Sequence, residues 1–217
     1  MNDKPILRYT SNQRTNHWLV AIVFLMAALS GLALFHPGLF WLSNLFGGGS
    51  WTRILHPYMG VAMFVLFLGL VFSFWRANYF SANDRLWLRR VGTVMRNEEE
   101  GVPPIGKYNP AQKLLFWVLL ICMLVLLFSG LVIWRAWFSA YFGITGIRWA
   151  MLLHALAGFI LVLSIIVHVY AAIWIRGSVH AMVHGGVSRA WARKHHELWY
   201  REVTQDETPE RPITKKG

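Results

Sequence analysis

The sequence contains a single cysteine, Cys122, in 217 residues. That absence excludes a disulfide framework and a cysteine-ligated metal domain. Charge is scarce too, at 14% of residues, where a soluble domain carries about a quarter. Acids are the scarcest of all: 10 Asp and Glu stand against 21 Lys and Arg, a formal net charge of +11. What the chain has in excess is apolar surface. It is 56% hydrophobic and 15% aromatic, which excludes an intrinsically disordered protein. A polytopic membrane protein or a very greasy basic globule remains.

Uncharged runs decide between the two. Trp18–Phe35, Pro57–Trp75, Leu114–Trp134 and Trp149–Ile175 contain no Asp, Glu, Lys or Arg, over 18, 19, 21 and 27 residues. A helix needs about 20 residues to cross the hydrocarbon core. The chain therefore reads as an all-α integral membrane protein, a four transmembrane helix bundle within one domain over residues 1–203. The first run lacks a clear small-x-small cleavage site and three more spans follow, so it is expected to be retained.

In a four-span topology the N-terminus, the segment 76–113 and the tail from 176 share one side. They hold 18 of the 21 basic residues and all ten acids. The other side holds only Arg53, Arg135 and Arg148. The Lys/Arg bias places both termini in the cytoplasm. The basic excess thus signals insertion among lipids and not a nucleic-acid partner. Residues 36–56 and 135–148 form outer loops. The Gly47-Gly48-Gly49 triplet in the first has no following Lys-Ser/Thr, so it is expected as a turn and not a phosphate loop. The inner loop, with Glu98-Glu99-Glu100, is expected to be partly helical. The tail 176–203 mixes basic and aromatic residues and suits an amphipathic helix at the headgroups, and 204–217 are expected to be disordered. No internal repeat is evident.

Histidines carry the chemistry. His17, His56, His154 and His168 lie in or at the mouths of the spans, where an ionisable group defaults to a functional hypothesis. His154 and His168 are 14 residues apart on the fourth span. That is about 21 Å of rise and about 40° short of four full turns, so both leave nearly the same face. By depth, His56 matches His154 near the outer edge and His17 matches His168 near the inner edge. Zinc and copper sites normally recruit further protein ligands, and no span contains an acid for a proton relay. Heme b needs only two axial imidazoles and an apolar slot. Gly60 and Gly158, each four residues after a histidine, are candidates for opening that slot. His36 is a rival outer ligand. His180, His184, His195 and His196 are expected in the solvated basic tail.

The surrounding motifs carry a family resemblance. They are Asn16-His17-Trp18, Arg53-Ile54-Leu55-His56-Pro57, Gly106-Lys107-Tyr108-Asn109 with Gln112-Lys113, and Lys194-His195-His196 with Trp199-Tyr200-Arg201. Over about residues 7–203 the chain resembles the cytochrome b (gamma) subunit of bacterial membrane-bound respiratory formate dehydrogenases, with Gly-Lys-Tyr-Asn the most specific element. The resemblance implies two b hemes, one on His56 and His154 at the periplasmic side and one on His17 and His168 at the cytoplasmic side. It implies an iron–sulfur (beta) subunit as electron donor, served by a molybdenum- or tungsten-containing catalytic (alpha) subunit. Menaquinone is the implied acceptor, in a pocket near Asn109, Ala111 and Gln112. Ala111 stands where the family often has glycine, and Asn109 and Gln112 equally suit helix capping. Arg53 and Arg148 are candidate propionate partners or interfacial anchors. A diheme anchor of a nickel–iron hydrogenase or other molybdenum oxidoreductase, and a non-redox transporter or scaffold, are the alternatives.

Overall fold

The computed structural model describes residues 4–92, 103–175 and 177–205. The expectations for Glu98-Glu99-Glu100 and for 206–217 lie outside those residues. Among the described residues five helices build the body: α1 (Ser11–Phe35), α2 (Gly49–Phe74), the short α3 (Ala82–Arg89), α4 (Pro110–Ile133) and α5 (Ile144–Trp174). All but α3 are long and apolar enough to cross a membrane. Each of these four begins upstream of its uncharged run, because the start signals lie there. Thr10 and Gln13 form a capping box on α1, and Asn109 and Gln112 form one on α4, each satisfying two otherwise orphaned backbone donors. With 31 residues, α5 is about 46 Å long, well beyond a hydrocarbon core of about 30 Å.

The first outer loop is more ordered than a loop. A 3-10 helix spans Pro37–Phe46, and Gly47 (φ +83) and Gly48 (φ +95) turn the chain into α2. Pro57 sits inside α2. Lacking an N–H, it leaves the Arg53 carbonyl without its helical donor, which is affordable near the end of a span.

The spans pack as two antiparallel hairpins, α1 on α2 and α4 on α5, which touch each other much less than their own partners. A core of Ala27, Met63, Phe67, Leu70, Leu120, Met123 and Leu161 joins the hairpins. Phe72, Phe159 and Ile173 stay exposed on the outside, as lipid-facing residues do.

The tail departs from expectation. It folds into α6 (Ser178–His184), α7 (Arg189–His195) and α8 (Glu197–Gln205), so Thr204 and Gln205, expected to be disordered, are helical. A two-stranded sheet ties the tail to the N-terminus, β1 (Ile6–Leu7) pairing antiparallel with β2 (Gly186–Val187). The Gly185 carbonyl accepts from the Arg8 and Tyr9 N–H groups at 2.8 and 3.0 Å. Gly185 has φ +90, and a Cβ there would lie 2.9 Å from the Tyr9 carbonyl oxygen, so only glycine fits. Around this sheet Ile6, Tyr9, Tyr108, Ala181, Val187, Ala192 and Trp199 form a second buried cluster. An amphipathic helix would leave its basic face in water. This tail instead closes the terminal end of the bundle as a small folded cap.

Candidate functional site

Two histidine pairs face each other across the seam between the hairpins. The His56 and His154 rings have centroids 6.2 Å apart, and the His17 and His168 rings 6.3 Å. The first pair lies toward the loop end of the bundle and the second toward the terminal end. In-line coordination of one metal by two imidazoles needs nitrogens about 4 Å apart, from two bonds of about 2.0–2.1 Å. Ring centres just over 6 Å apart suit that span.

The loop-end pair is held by a matched set of neighbours. The Ser30 hydroxyl on α1 donates to the Ala27 carbonyl at 3.0 Å and lies 2.8 Å from His56 Nδ1. The Ser129 hydroxyl on α4 donates to the Val125 carbonyl at 2.5 Å and lies 3.0 Å from His154 Nδ1. A serine has one proton to give. With that proton on a backbone carbonyl, each oxygen accepts from the imidazole, so Nδ1 carries hydrogen and Nε2 presents its lone pair.

The residues after these serines are both glycine. A Cβ at Gly31 would lie 3.1 Å from His56 Cε1, and one at Gly130 would lie 3.3 Å from His154 Cε1. The same Ser-Gly step thus seats one ring from each hairpin. Ser30 precedes His56, and Ser129 precedes His154, by nearly equal lengths of chain. This is a short internal correspondence where no repeat was evident, and the paired Ser-Gly steps were its signal.

The glycines chosen for the slot behave differently from one another. Gly60 has open space where a Cβ would stand, whereas a Cβ on Gly158 would only graze Leu126 at 3.9 Å. Neither meets a histidine ring; the glycines that meet His56 and His154 are Gly31 and Gly130.

At the terminal end, Asn16 beside His17 donates from Nδ2 to the Leu66 carbonyl at 3.0 Å. It reaches across the bare Gly69, where a Cβ would sit 2.5 Å from that nitrogen. This contact pins the rotation of α1 on α2. His17 Nδ1 is buried with no hydrogen-bond partner among the described residues. An open apolar groove of about 450 Å³ runs between α1 and α5, lined by Phe24, Ala28, Leu32, Val162, Ile166 and Val169 and by none of the four histidines.

The donor set fits a macrocycle-borne metal better than a bare ion. Among the described residues no three His, Cys, Asp or Glu converge, so each pair offers two ligands and an apolar surround. That is what a bis-imidazole heme requires. His36, the rival ligand, is committed elsewhere: its Nδ1 accepts from the Gly38 N–H at 3.1 Å at the start of the 3-10 helix.

The segment proposed for quinone is first a helix cap. Asn109 Oδ1 accepts from the Gln112 N–H at 2.8 Å, and Gln112 Oε1 accepts from the Asn109 N–H at 3.0 Å. Among the described residues the side-chain NH2 groups of both are left over as donors, and Ala111 is exposed. Next to them the Lys113 ammonium pairs with Asp84 of α3 at 2.7 Å and donates to the Tyr79 carbonyl at 3.0 Å, both partners being buried.

His196 was expected in solvent and is 4% exposed. Its Nδ1 lies 2.8 Å from the Gly106 carbonyl, so that nitrogen donates, and Nε2 accepts from the Arg8 guanidinium at 3.2 Å. Burial above all, then the neighbouring Arg8 charge, pushes its pKa down to about 3. Arg8 also donates to the Lys107 carbonyl at 2.7 Å. It sits among the Tyr9, Tyr108, Trp191 and Trp199 rings at 5.1–5.8 Å from their centres. The signal in the sequence was the aromatic content of the tail around His195-His196, which reads as membrane-facing until Arg8 is placed inside it.

Comparison with known proteins adds the lineage. Residues 8–185 match the family model described as prokaryotic cytochrome b561. The chain is 44% identical over 198 residues to the formate dehydrogenase cytochrome b556(fdo) subunit of Escherichia coli (strain K12), covering 91% of this chain and 93% of that protein. It is 42% identical over 204 residues to the nitrate-inducible formate dehydrogenase cytochrome b556(Fdn) subunit of the same organism, covering 94% of each. A formate dehydrogenase cytochrome b556 subunit of Haemophilus influenzae is 41% identical over 201 residues, 93% of this chain and 84% of that one.

Proposed function

The chain belongs to the prokaryotic cytochrome b561 family, a family of membrane-embedded cytochromes b, and we propose that it is the diheme membrane subunit of a respiratory formate dehydrogenase. The observation that carries the reading is the pair of facing imidazoles at each of two depths. The names of relatives at 41–44% identity give the enzyme. Two b hemes, when bound, supply a one-electron path across the bilayer from an iron–sulfur subunit to menaquinone.

His56 and His154 hold the centre on the loop end, which faces the periplasm and the iron–sulfur (beta) subunit of a molybdenum- or tungsten-containing catalytic partner. His17 and His168 hold the centre on the terminal end, which faces the cytoplasm. Ser30 and Ser129 keep the loop-end Nε2 atoms available by occupying Nδ1. Met63, Phe67 and Leu161 exclude water from the seam. Arg53 and Arg148, exposed at the loop end, supply cations for propionates there.

Asn109 and Gln112 face the quinone with the NH2 donors that capping leaves over, and Ala111 exposes the backbone between them. Moving negative charge inward against an inside-negative potential costs about 2.3 kcal/mol per charge per 100 mV for a full crossing. A downhill redox step must exceed that. Protons for the quinone come from the cytoplasm, and the spans need no acid of their own.

The test is a reduced-minus-oxidised spectrum with a heme count and identification of co-purifying subunits. Two b hemes and a formate-oxidising partner are expected. A nickel–iron partner would redirect the assignment to a hydrogenase, and a heme-free protein despite heme supply would end the electron-carrier reading. His56→Ala and His154→Ala are each expected to remove the same heme and leave the other.

A further inference from the structure

The two histidine pairs differ in what stands behind them. Each loop-end imidazole donates its Nδ1 hydrogen to a serine oxygen, at 2.8 Å for Ser30 and 3.0 Å for Ser129. At the terminal end, His17 Nδ1 is buried with no hydrogen-bond partner among the described residues. Both serines are buried in a seam without bulk water to replace them. The contrast is built into the chain twice, through Ser30-Gly31 on α1 and Ser129-Gly130 on α4.

We propose that Ser30 and Ser129 are positioning residues that set the loop-end centre to a lower reduction potential than its bare bis-histidine ligation would give. The inference rests on the heme-ligand reading above. A hydrogen bond from Nδ1 fixes the tautomer and ring orientation and makes Nε2 the more basic ligand. A more basic axial ligand stabilises the oxidised iron over the reduced iron, and axial ligands with their hydrogen bonds are the levers by which a protein tunes a heme. His17, without such an acceptor among the described residues, lacks this lowering. The serines therefore tilt the path so that an electron arriving at the loop end runs downhill toward the terminal end. The close-approach glycines belong to the same device: without a Cβ at Gly31 or Gly130, each ring comes near enough for its serine to reach Nδ1.

Potentiometric titration of the full-length, heme-loaded chain in membranes tests this. Ser30→Ala and Ser129→Ala are each expected to raise the loop-end midpoint potential, the double variant more than either, while the terminal-end potential stays in place. Ser30→Thr and Ser129→Thr, which keep the hydroxyl, should restore it. An unmoved loop-end potential with heme retained overturns the proposal. So does an equal rise in both centres, or threonine variants that shift as far as alanine. If an alanine variant loses its heme, Ser30→Cys and Ser129→Cys are titrated instead, since sulfur is a weak acceptor. The same upward shift is expected, and none overturns the idea. Failure of the ligand reading looks different: His56→Ala and His154→Ala would then leave two hemes in place, whatever the serines do.

Discussion

Arg8 is 3% exposed and, among the described residues, has no carboxylate beside it. A buried guanidinium needs its charge met in some other way. Four aromatic faces do part of this, each contributing about 0.5–2 kcal/mol, and the Lys107 carbonyl and His196 Nε2 accept its hydrogens. The arrangement works only while His196 is neutral, because a proton on Nε2 would face the guanidinium. That fixes the direction of a pH effect. The folded pKa of about 3 lies below the ordinary 6.5, so the unfolded cap binds the proton first as pH falls. The stabilisation is intact above about pH 6.5 and is lost progressively toward pH 3, by about 2 kcal/mol at pH 5. The protection of α7 and α8 against hydrogen exchange in nanodiscs, taken relative to the intrinsic exchange rate at each pH, is expected to fall between pH 7 and pH 5, and His196→Gln to abolish that fall. An unchanged slope in the variant would mean that another group controls the cap.

At the scale of elements, α3 is joined to α4 by one buried ion pair, Asp84 with Lys113. Ser81 caps α3 and shares the same carboxylate, its hydroxyl donating at 2.8 Å. Removing one partner strands the other charge, so Asp84→Asn or Lys113→Met should cost about 3–5 kcal/mol, and replacing both with apolar residues should recover most of it. Thermal unfolding in detergent would separate the cases; additive losses in the double variant would contradict the pairing. Much of the element plan was legible beforehand. The uncharged runs located four spans, and helical arithmetic placed His154 and His168 on one face. The upstream helix starts were legible in Thr10-x-x-Gln13 and Asn109-x-x-Gln112, but charge counting ends where Arg14 and Lys113 begin. The ring-seating glycines were not legible, because which glycine meets a ring depends on how α1 crosses α2 and α4 crosses α5. Gly60 gives a discriminating change. A methyl there meets no protein atom within 4 Å, so Gly60→Ala should leave the heme-free fold unaltered while lowering occupancy of the loop-end centre alone. Full occupancy would place the macrocycle away from Gly60.

For the whole molecule, the division of labour follows from where the contacts run. The histidine pairs draw their seats from the hairpins: Ser30 and Gly31, Ser129 and Gly130, Asn16 against Gly69. Among the described residues, no tail residue contributes to those seats. The tail and the N-terminal residue Arg8 together grip the approach to α4. His196 holds the Gly106 carbonyl, Arg8 holds that of Lys107, and the Leu198 N–H donates to the Ile105 carbonyl at 3.1 Å. Three successive carbonyls just before Tyr108 and Asn109 are thus fixed by the cap. A chain that entered α4 freely would still be capped by Asn109 and Gln112, but the orientation of their spare NH2 groups would be looser. Displacements of about 1 Å at a reacting site cost about a hundredfold. Deleting the chain after Val187 should therefore leave both hemes bound and reducible by dithionite, while quinone reduction falls by about tenfold to a hundredfold. Loss of heme on truncation would mean that the cap supports the hairpins themselves. Wild-type quinone kinetics would free the 105–109 segment from any part in the acceptor site.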